Sequence, residues 1–168
     1  NGSQIPTIYG AFRNDFSYKG FSLSVNIVYR LGYVFRRTST NINYTDIIQS
    51  GQHSDFQMRW QKTGDESSTN IPSVVYPADY DRNTFFQNSE TLIESGDHIR
   101  LQDIRFGYTF PQRMLSKLFL SNLTLFSYAN NLGIIWRKNK LGIDPSAVGT
   151  YAGYPSQRSI SFGIQANF

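Results

Sequence analysis

The sequence predicts an all-β protein, an antiparallel sheet of about five strands forming a segment of a transmembrane β-barrel. Three observations predict it. The last stretch, Arg158 to Phe168, alternates strictly: Ile160, Phe162, Ile164, Ala166 and Phe168 are apolar, and Ser159, Ser161, Gly163, Gln165 and Asn167 between them are small or polar. Period-two alternation gives one greasy and one wet strand face. The stretch ends on a phenylalanine, which suits an interfacial aromatic girdle better than a frayed soluble terminus. The second observation is composition. Only 39% of residues are hydrophobic, yet 15% are aromatic, with 11 Tyr and 13 Phe. Tyrosine and phenylalanine therefore carry much of the apolar surface, as in the two girdles of a membrane barrel. The third is the rhythm of the connections: Lys19-Gly20 short, 36–96 long, 111–119 short, 133–157 long. Outer-membrane barrels show this asymmetry of short periplasmic turns and long extracellular loops.

Taken in order, residues 1–7 read as a loop ending at Pro6. Tyr9 to Tyr18 is a strand with Phe12, Phe16 and Tyr18 on one face and Ala11, Arg13, Asp15 and Ser17 on the other. Lys19-Gly20 makes the tight turn. The next strand is expected over Phe21 to Phe35, with eight same-face apolar residues from Phe21 to Phe35 and Arg30 on the wet face. That is longer than the ~9–11 residues needed to cross a bilayer. Residues 36–96 are rich in Ser, Thr, Asn, Asp and Gln, and one short helix is expected there. Ser54 would be its cap, Gln57 would complete a capping box, Phe56 and Trp60 would share a side, and Gly64 would lie past its end. Ile71-Pro72 and Tyr76-Pro77 read as extended turns. Asp97 to Phe110 is a strand whose apolar parity switches between Leu101 and Ile104, which a bulge near Gln102-Asp103 would reconcile. Pro111 ends it. Leu120 to Leu132 is a further strand in which Leu123 and Leu125 disagree in parity with Phe126 and Tyr128. The second loop follows at 133–157, and the terminal strand ends the sequence. Five strands cannot close a barrel, for which about eight is the small end. Open edges are not tolerated in lipid, so the expectation is a piece of a larger barrel.

Other classes are disfavoured by what is present. No run of about 18 apolar residues marks a transmembrane helix, and the N-terminus reads as carrying no signal peptide. With 0 Cys there is no disulfide framework, thiolate metal site or cysteine nucleophile. The net charge of +4 arises from cations scattered over strands and loops, with no basic stripe interleaved with stacking aromatics, so nucleic acid is not an expected partner. His53 and His98 are the only histidines and read as polar loop or strand-end residues rather than an acid–base pair. Asp79, Asp81 and Asp65-Glu66 have the oxygen ligands calcium takes, but no EF-hand spacing, and read as solvated carboxylates. No cofactor, metal or catalytic constellation is expected.

Several stretches carry a family resemblance. D-H-I-R-L-Q-D-I-R-F-G-Y-T-F-P (97–111), Y-G-A-F-R-N-D-F-S-Y-K-G-F-S-L-S (9–24), R-W-Q-K-T-G-D-E (59–66), N-N-L-G-I-I-W-R-K-N-K-L-G-I-D-P-S (130–146) and Y-P-S-Q-R-S-I-S-F-G-I-Q-A-N-F (154–168) resemble, in the same order, motifs of the SusC/RagA-type TonB-dependent outer-membrane transporters of Bacteroidota. The departures are Thr63 where proline is usual, Gly133 for an aromatic and Ser146 for an acidic residue. The resemblance implies a 22-strand barrel of which 1–168 is the C-terminal part, an N-terminal plug, a SusD-like surface lipoprotein as lid, and import of oligosaccharides or peptides driven through TonB. The implied partners are the remaining barrel and plug, the lid, the TonB complex, the barrel-assembly machinery and outer-membrane lipid.

Among individual residues, Trp60, Tyr76, Asp79, Tyr80 and Trp136 are the candidates for contact with solute or lid. Aromatic faces pack against the C–H faces of sugars, and carboxylates bond hydroxyls or peptide ends. For Trp60 the bland expectation is a small core of the loop, shared with Phe56. Phe162, Ile164, Ala166 and Phe168 resemble the aromatic-ended signal read by barrel assembly. The competing readings are a secreted soluble structural or adhesive β-domain, which would have to bury the Phe21–Phe35 face, and a small outer-membrane barrel enzyme, which would need a nucleophile and base that the sequence does not bring together.

Overall fold

The computed structural model describes residues 2–116, 119–148 and 157–168. Its largest element is a five-stranded antiparallel sheet in the order β1-β2-β5-β6-β7. The strands are β1 (Ile8–Tyr18), β2 (Phe21–Leu31), β5 (His98–Thr109), β6 (Asn122–Arg137) and β7 (Ser159–Asn167). Two short strands, β3 (Val34–Arg36) and β4 (Ile93–Ser95), pair separately. By internal contacts the chain divides into a sheet unit (2–34 and 95–168) and an insert (35–94). The 149–156 part of the second loop lies outside the described residues.

The register explains the alternation. Phe12 pairs with Ile27, Phe16 with Leu23 and Tyr18 with Phe21. Leu23 continues to Phe106 and Val25 to Ile104. Phe106 meets Ser127, which meets Phe162, and Tyr108 meets Leu125, which meets Ile164. Paired residues share a face, so these form one apolar band. Phe12, Phe16, Leu23, Phe106, Leu125, Phe162 and Ile164 are all exposed on it. At the end of the β1–β2 and β5–β6 turns the rings cluster: Phe21 lies 4.6 Å from Tyr108, and Tyr108 lies 5.0 Å from Phe110.

The opposite face is polar and tied across strands. Arg13, Asn26, Asp103 and Asn130 are successive register partners. The Asn26 amide donates to Asp103 Oδ2 at 2.8 Å, and Arg13 reaches the same carboxylate at 3.4 Å. Asp103 and Asn26 are buried, and pairing is what makes a buried charge tolerable. Higher on this face the buried Arg100 donates to Asn131, Asp144 and Ser146, which ties the D-P-S stretch after β6 back to β5.

The bulge expected near Gln102-Asp103 is present. Asn26 pairs with Asp103 and Ile27 with Leu101, leaving Gln102 as the extra residue. The parity conflict in β6 resolves differently. No bulge separates Leu125 from Phe126; Phe126 and Tyr128 stand on the polar face, opposite Gly163 and Ser161. The Phe126 ring lies on Gly163, where an added Cβ would sit 2.3 Å from the ring's Cζ.

Two expected boundaries are corrected. The second strand stops at Leu31 instead of Phe35, because Gly32 turns the chain at φ 73° and Asp97 takes the Gly32 amide at 2.7 Å. At 11 residues it still meets the bilayer requirement. Strand β6 runs on to Arg137, past the expected end at Leu132, because Ile134, Trp136 and Arg137 pair with Arg100, Ile99 and His98.

The two faces predict opposite outcomes for neighbouring residues of β1. Phe12→Arg is expected to cost about 2–4 kcal/mol where it meets the bilayer midplane. Ala11→Arg, one residue away on the face of Arg13, is expected to change little. Urea titration of the barrel refolded into lipid vesicles checks this; equal costs would oppose the assignment of faces.

Candidate functional site

The insert 35–94 is a folded element. Its core is Ile42, Ile71, Phe86 and Leu92, all at most 5% exposed. Two α-helices flank it, α1 (Tyr44–Ser50) and α2 (Tyr80–Asn88). The single helix that the sequence predicts near 54–62 is not formed. That stretch instead holds a short 3-10 turn, Ser54–Met58, and its cap is His53, whose Nδ1 accepts from the Asp55 amide at 3.2 Å. Arg59 leaves helical geometry with ψ 151°, and its guanidinium packs 3.9 Å over the Phe56 ring. Phe56 and Trp60 therefore do not form the insert's core.

Beneath the turn the buried Asp55 pairs with the half-buried Arg37. Asp55 accepts from Arg37 and, at 2.6 Å, from the Ser39 hydroxyl. Burial alone would raise the Asp55 carboxyl, but the bonds from Arg37 and Ser39 outweigh it and hold it below its ordinary value. A depressed carboxylate stabilises the fold above its unfolded pKa, and the contribution is lost as pH falls through the folded value.

The R-W-Q-K-T-G-D-E stretch is a closed turn. Asp65 Oδ2 accepts from the Gln61 and Lys62 amides, each at 3.1 Å. Glu66 Oε2 accepts from the Gly64 amide at 2.7 Å and the Trp60 indole at 3.1 Å. Backbone bonds from its own and the Gly64 amide, then the indole, hold the Glu66 carboxyl below its ordinary value. The Trp60 amide donates to the Ile71 carbonyl at 2.8 Å. Trp60 is thus fixed at both backbone and ring while 38% of it stays exposed. It forms a wall of an open cleft of about 340 Å³, with Ile71 and Pro72 as further apolar lining and Thr63, Glu66, Asn70, Ser73 and Arg82 around it.

The other candidates are dispersed. Tyr76 is 78% exposed and stacks edge-on against Tyr44 at 6.3 Å. Asp79 caps α2 by accepting from the Arg82 amide at 2.9 Å, and Tyr80 is the exposed first residue of that helix. Trp136 belongs to the sheet. Its register partner is Ile99, which itself pairs with Tyr29, and this places it on the apolar face. Phe162, Ile164 and Ala166 lie on that same face of β7, and Phe168 follows the strand, 94% exposed. Sequence reading missed Thr63, Asn70, Ile71 and Arg82 as cleft residues. They meet Trp60 only because the 69–73 segment folds back on it, a contact without local signature.

No family profile matches the chain. It is 26% identical to the TonB-dependent receptor P26 of Formosa agariphila over 99% of its length, and 26% identical to P39 of the same organism over 99%. It spans 17% of the length of these curated relatives. Among solved structures it superposes on the RagAB peptide importer in its open-open state with a TM-score of 0.74, 22% identity, 99% of this chain and 18% of that one. The closed-closed state of that importer gives a TM-score of 0.68, 21% identity, 100% of this chain and 18% of that one.

Asp55→Ala is expected to loosen the insert by about 1.5–3 kcal/mol, since it removes the acceptor that Arg37 and Ser39 share and leaves Arg37 only Glu94 at 4.0 Å as a counter-charge. In the unaltered protein, the protection of amides 53–59 against hydrogen exchange, taken relative to the intrinsic rate at each pH, should hold down to about pH 4 and fall below it. Protection that is absent at neutral pH, or unchanged across this range, would contradict the assignment.

Proposed function

We propose that this chain, homologous along nearly its whole length to SusC-like TonB-dependent receptors of Bacteroidota, forms part of the barrel wall of an outer-membrane importer. The observation that carries the reading is the exposed apolar band on one face of five paired strands, backed by a polar face of buried, cross-strand bonds. Lipid covers such a band and leaves the polar face to the lumen. A secreted soluble β-domain would have to bury Phe12, Phe16, Phe162 and Ile164, and these are exposed. The relatives are receptors and importers by name rather than enzymes, and the reading for this chain is likewise non-enzymatic.

In this reading β1 and β7 pair with strands of the remaining barrel, which meets the requirement that no sheet edge face lipid. The whole importer takes up oligosaccharides or peptides, is energised through TonB by parts outside this chain, and works with a SusD-like surface lipoprotein. Support for that partner comes from the similarity to an importer described as a two-part assembly, RagAB. Tyr76 and Tyr80, exposed on the insert, are the residues for lid contact. Trp136 takes a position on the apolar face beside the lipid. Phe162, Ile164, Ala166 and Phe168 present the face that barrel assembly would read.

Two experiments test this. Deleting the full-length gene should abolish growth on one polymeric or peptide nutrient and spare growth on its monomers; unchanged growth on every such source would oppose the reading. Phe168→Ala, or deletion of 159–168, should lower the heat-modifiable product recovered from the outer membrane, and normal recovery would remove the assembly role.

A further inference from the structure

We infer that the end of the sheet bearing the Lys19-Gly20 turn and the β5–β6 connection is a headgroup site for an anionic glycerophospholipid, with one acyl chain lying in a groove of the apolar face. The groove measures about 520 Å³, within the range of small-ligand sites. Phe16, Tyr18, Phe21, Leu23 and Phe106 wall it, all of them exposed and all on the apolar face by register. Asp15 also borders it, but alternation puts its side chain on the polar face. Three strands thus shape a surface that is apolar where a hydrocarbon chain would meet it.

A cation stands beside this groove. The Lys19 ammonium lies 5.1 Å from the centre of the Tyr18 ring. Tyr18 is itself a wall of the groove, so the charge and the apolar surface share one side chain. A ring holds an ammonium without neutralising it. The Lys19 side chain makes no hydrogen bond or ion pair among the described residues. The second connection is its neighbour. The Thr109 amide donates to the Gly20 carbonyl at 2.8 Å, and Pro111 then leads into the helical turn Gln112–Leu115. Arg113 of that turn is exposed, and its guanidinium has no hydrogen bond or ion pair among the described residues. Met114 and Phe119 of the same connection are exposed as well. Cations beside exposed apolar side chains suit the boundary between headgroups and hydrocarbon.

The sign of the headgroup follows from what this rim lacks. The stretches 16–45 and 104–143, which carry both connections, contain no Asp or Glu. A phosphatidylethanolamine would bring an ammonium with no carboxylate there to receive it. A phosphatidylglycerol brings one phosphate charge and neutral hydroxyls, and cations at a membrane surface attract such lipids. Short turns lie on the periplasmic side of outer-membrane barrels, where the leaflet is built of glycerophospholipid. The inference rests on the importer reading in placing these turns at a membrane surface.

The experiment uses the full-length receptor purified in detergent. Native mass spectrometry would count the lipids it retains from equal amounts of dioleoyl-phosphatidylglycerol and dioleoyl-phosphatidylethanolamine. The expected result is that phosphatidylglycerol is preferred by about tenfold or more, and that Lys19→Gln and Arg113→Gln each weaken its binding about fivefold. Together they should remove the preference. Lys19→Arg should keep it, which guards against a disturbed turn as the cause of loss. Lys138→Gln, at the other end of the sheet where Lys138 pairs with Asp97, should also keep it. Glycerophosphoglycerol, the headgroup without its chains, should not displace the bound lipid. Equal retention of the two lipids, an unchanged preference in the double variant, an equal loss in Lys138→Gln, or displacement by the free headgroup would overturn the inference while leaving the importer reading in place. Retention of neither lipid would count against both.

Discussion

Hydrocarbon offers no partner to a backbone amide, so every peptide group crossing it must find one along the sheet. That constraint sets the rest. Once five strands are joined side by side, the pleat leaves only two faces, and the period-two pattern decides which is apolar. A one-residue slip would put Phe12, Leu23, Phe106 and Phe162 among arginines and serines. The register is therefore held from the polar side as well. The Arg13–Asp103–Asn26 ladder spans three strands, and Arg100 joins β5 to Asn131, Asp144 and Ser146. Asp103 and Arg100 are buried, so leaving either without its partners is costly, and this makes the bonds effective markers of position.

The irregularities of the sheet have the same logic. Gln102 is inserted so that Ile99 and Leu101 stay on the face of Ile104 and Phe106 despite their odd spacing. In β6 the anomaly runs the other way. Phe126 stands on the polar face because Gly163 across from it has no side chain, and the ring fills that space with Arg105 set 5.0 Å above it. A large residue on one strand and a small one on the next complete one surface between them.

This distinction also separates what was legible in the sequence from what was not. The faces of β1, β2 and β7 follow from nearest-neighbour alternation, which any ten-residue window displays. The Gln102 bulge was legible because a parity switch is also local. Phe126 was not, since its placement depends on Gly163, which lies far along the chain. The stop after Leu31 was hidden for the same reason: Asp97 supplies the acceptor for Gly32. The insert was the least legible part. Its core residues, Ile42, Ile71, Phe86 and Leu92, are spread along the segment with no period. The capping-box pattern at Ser54 and Gln57 was overridden by His53 and by the Arg37–Asp55 pair. The R-W-Q-K-T-G-D-E motif was conspicuous as a string, but its chemistry emerged only when Glu66 was seen to hold the indole.

A folded insert has a consequence for how its exposed side chains are held. Loops that carry function on a barrel are usually ordered by the scaffold below them. Here the segment 35–94 brings its own core, capped helix and ion pair. Its internal geometry is consequently set by its own residues, and side chains such as Trp60 can be exposed without being loose. The membrane strands are constrained nearly everywhere by pairing and lipid. An insert with an independent core can expose side chains that its packing does not require, while the four core positions and the Arg37–Asp55 pair hold its geometry. The division of labour follows from the physics of each part: the sheet satisfies the bilayer, and the insert holds its own fold.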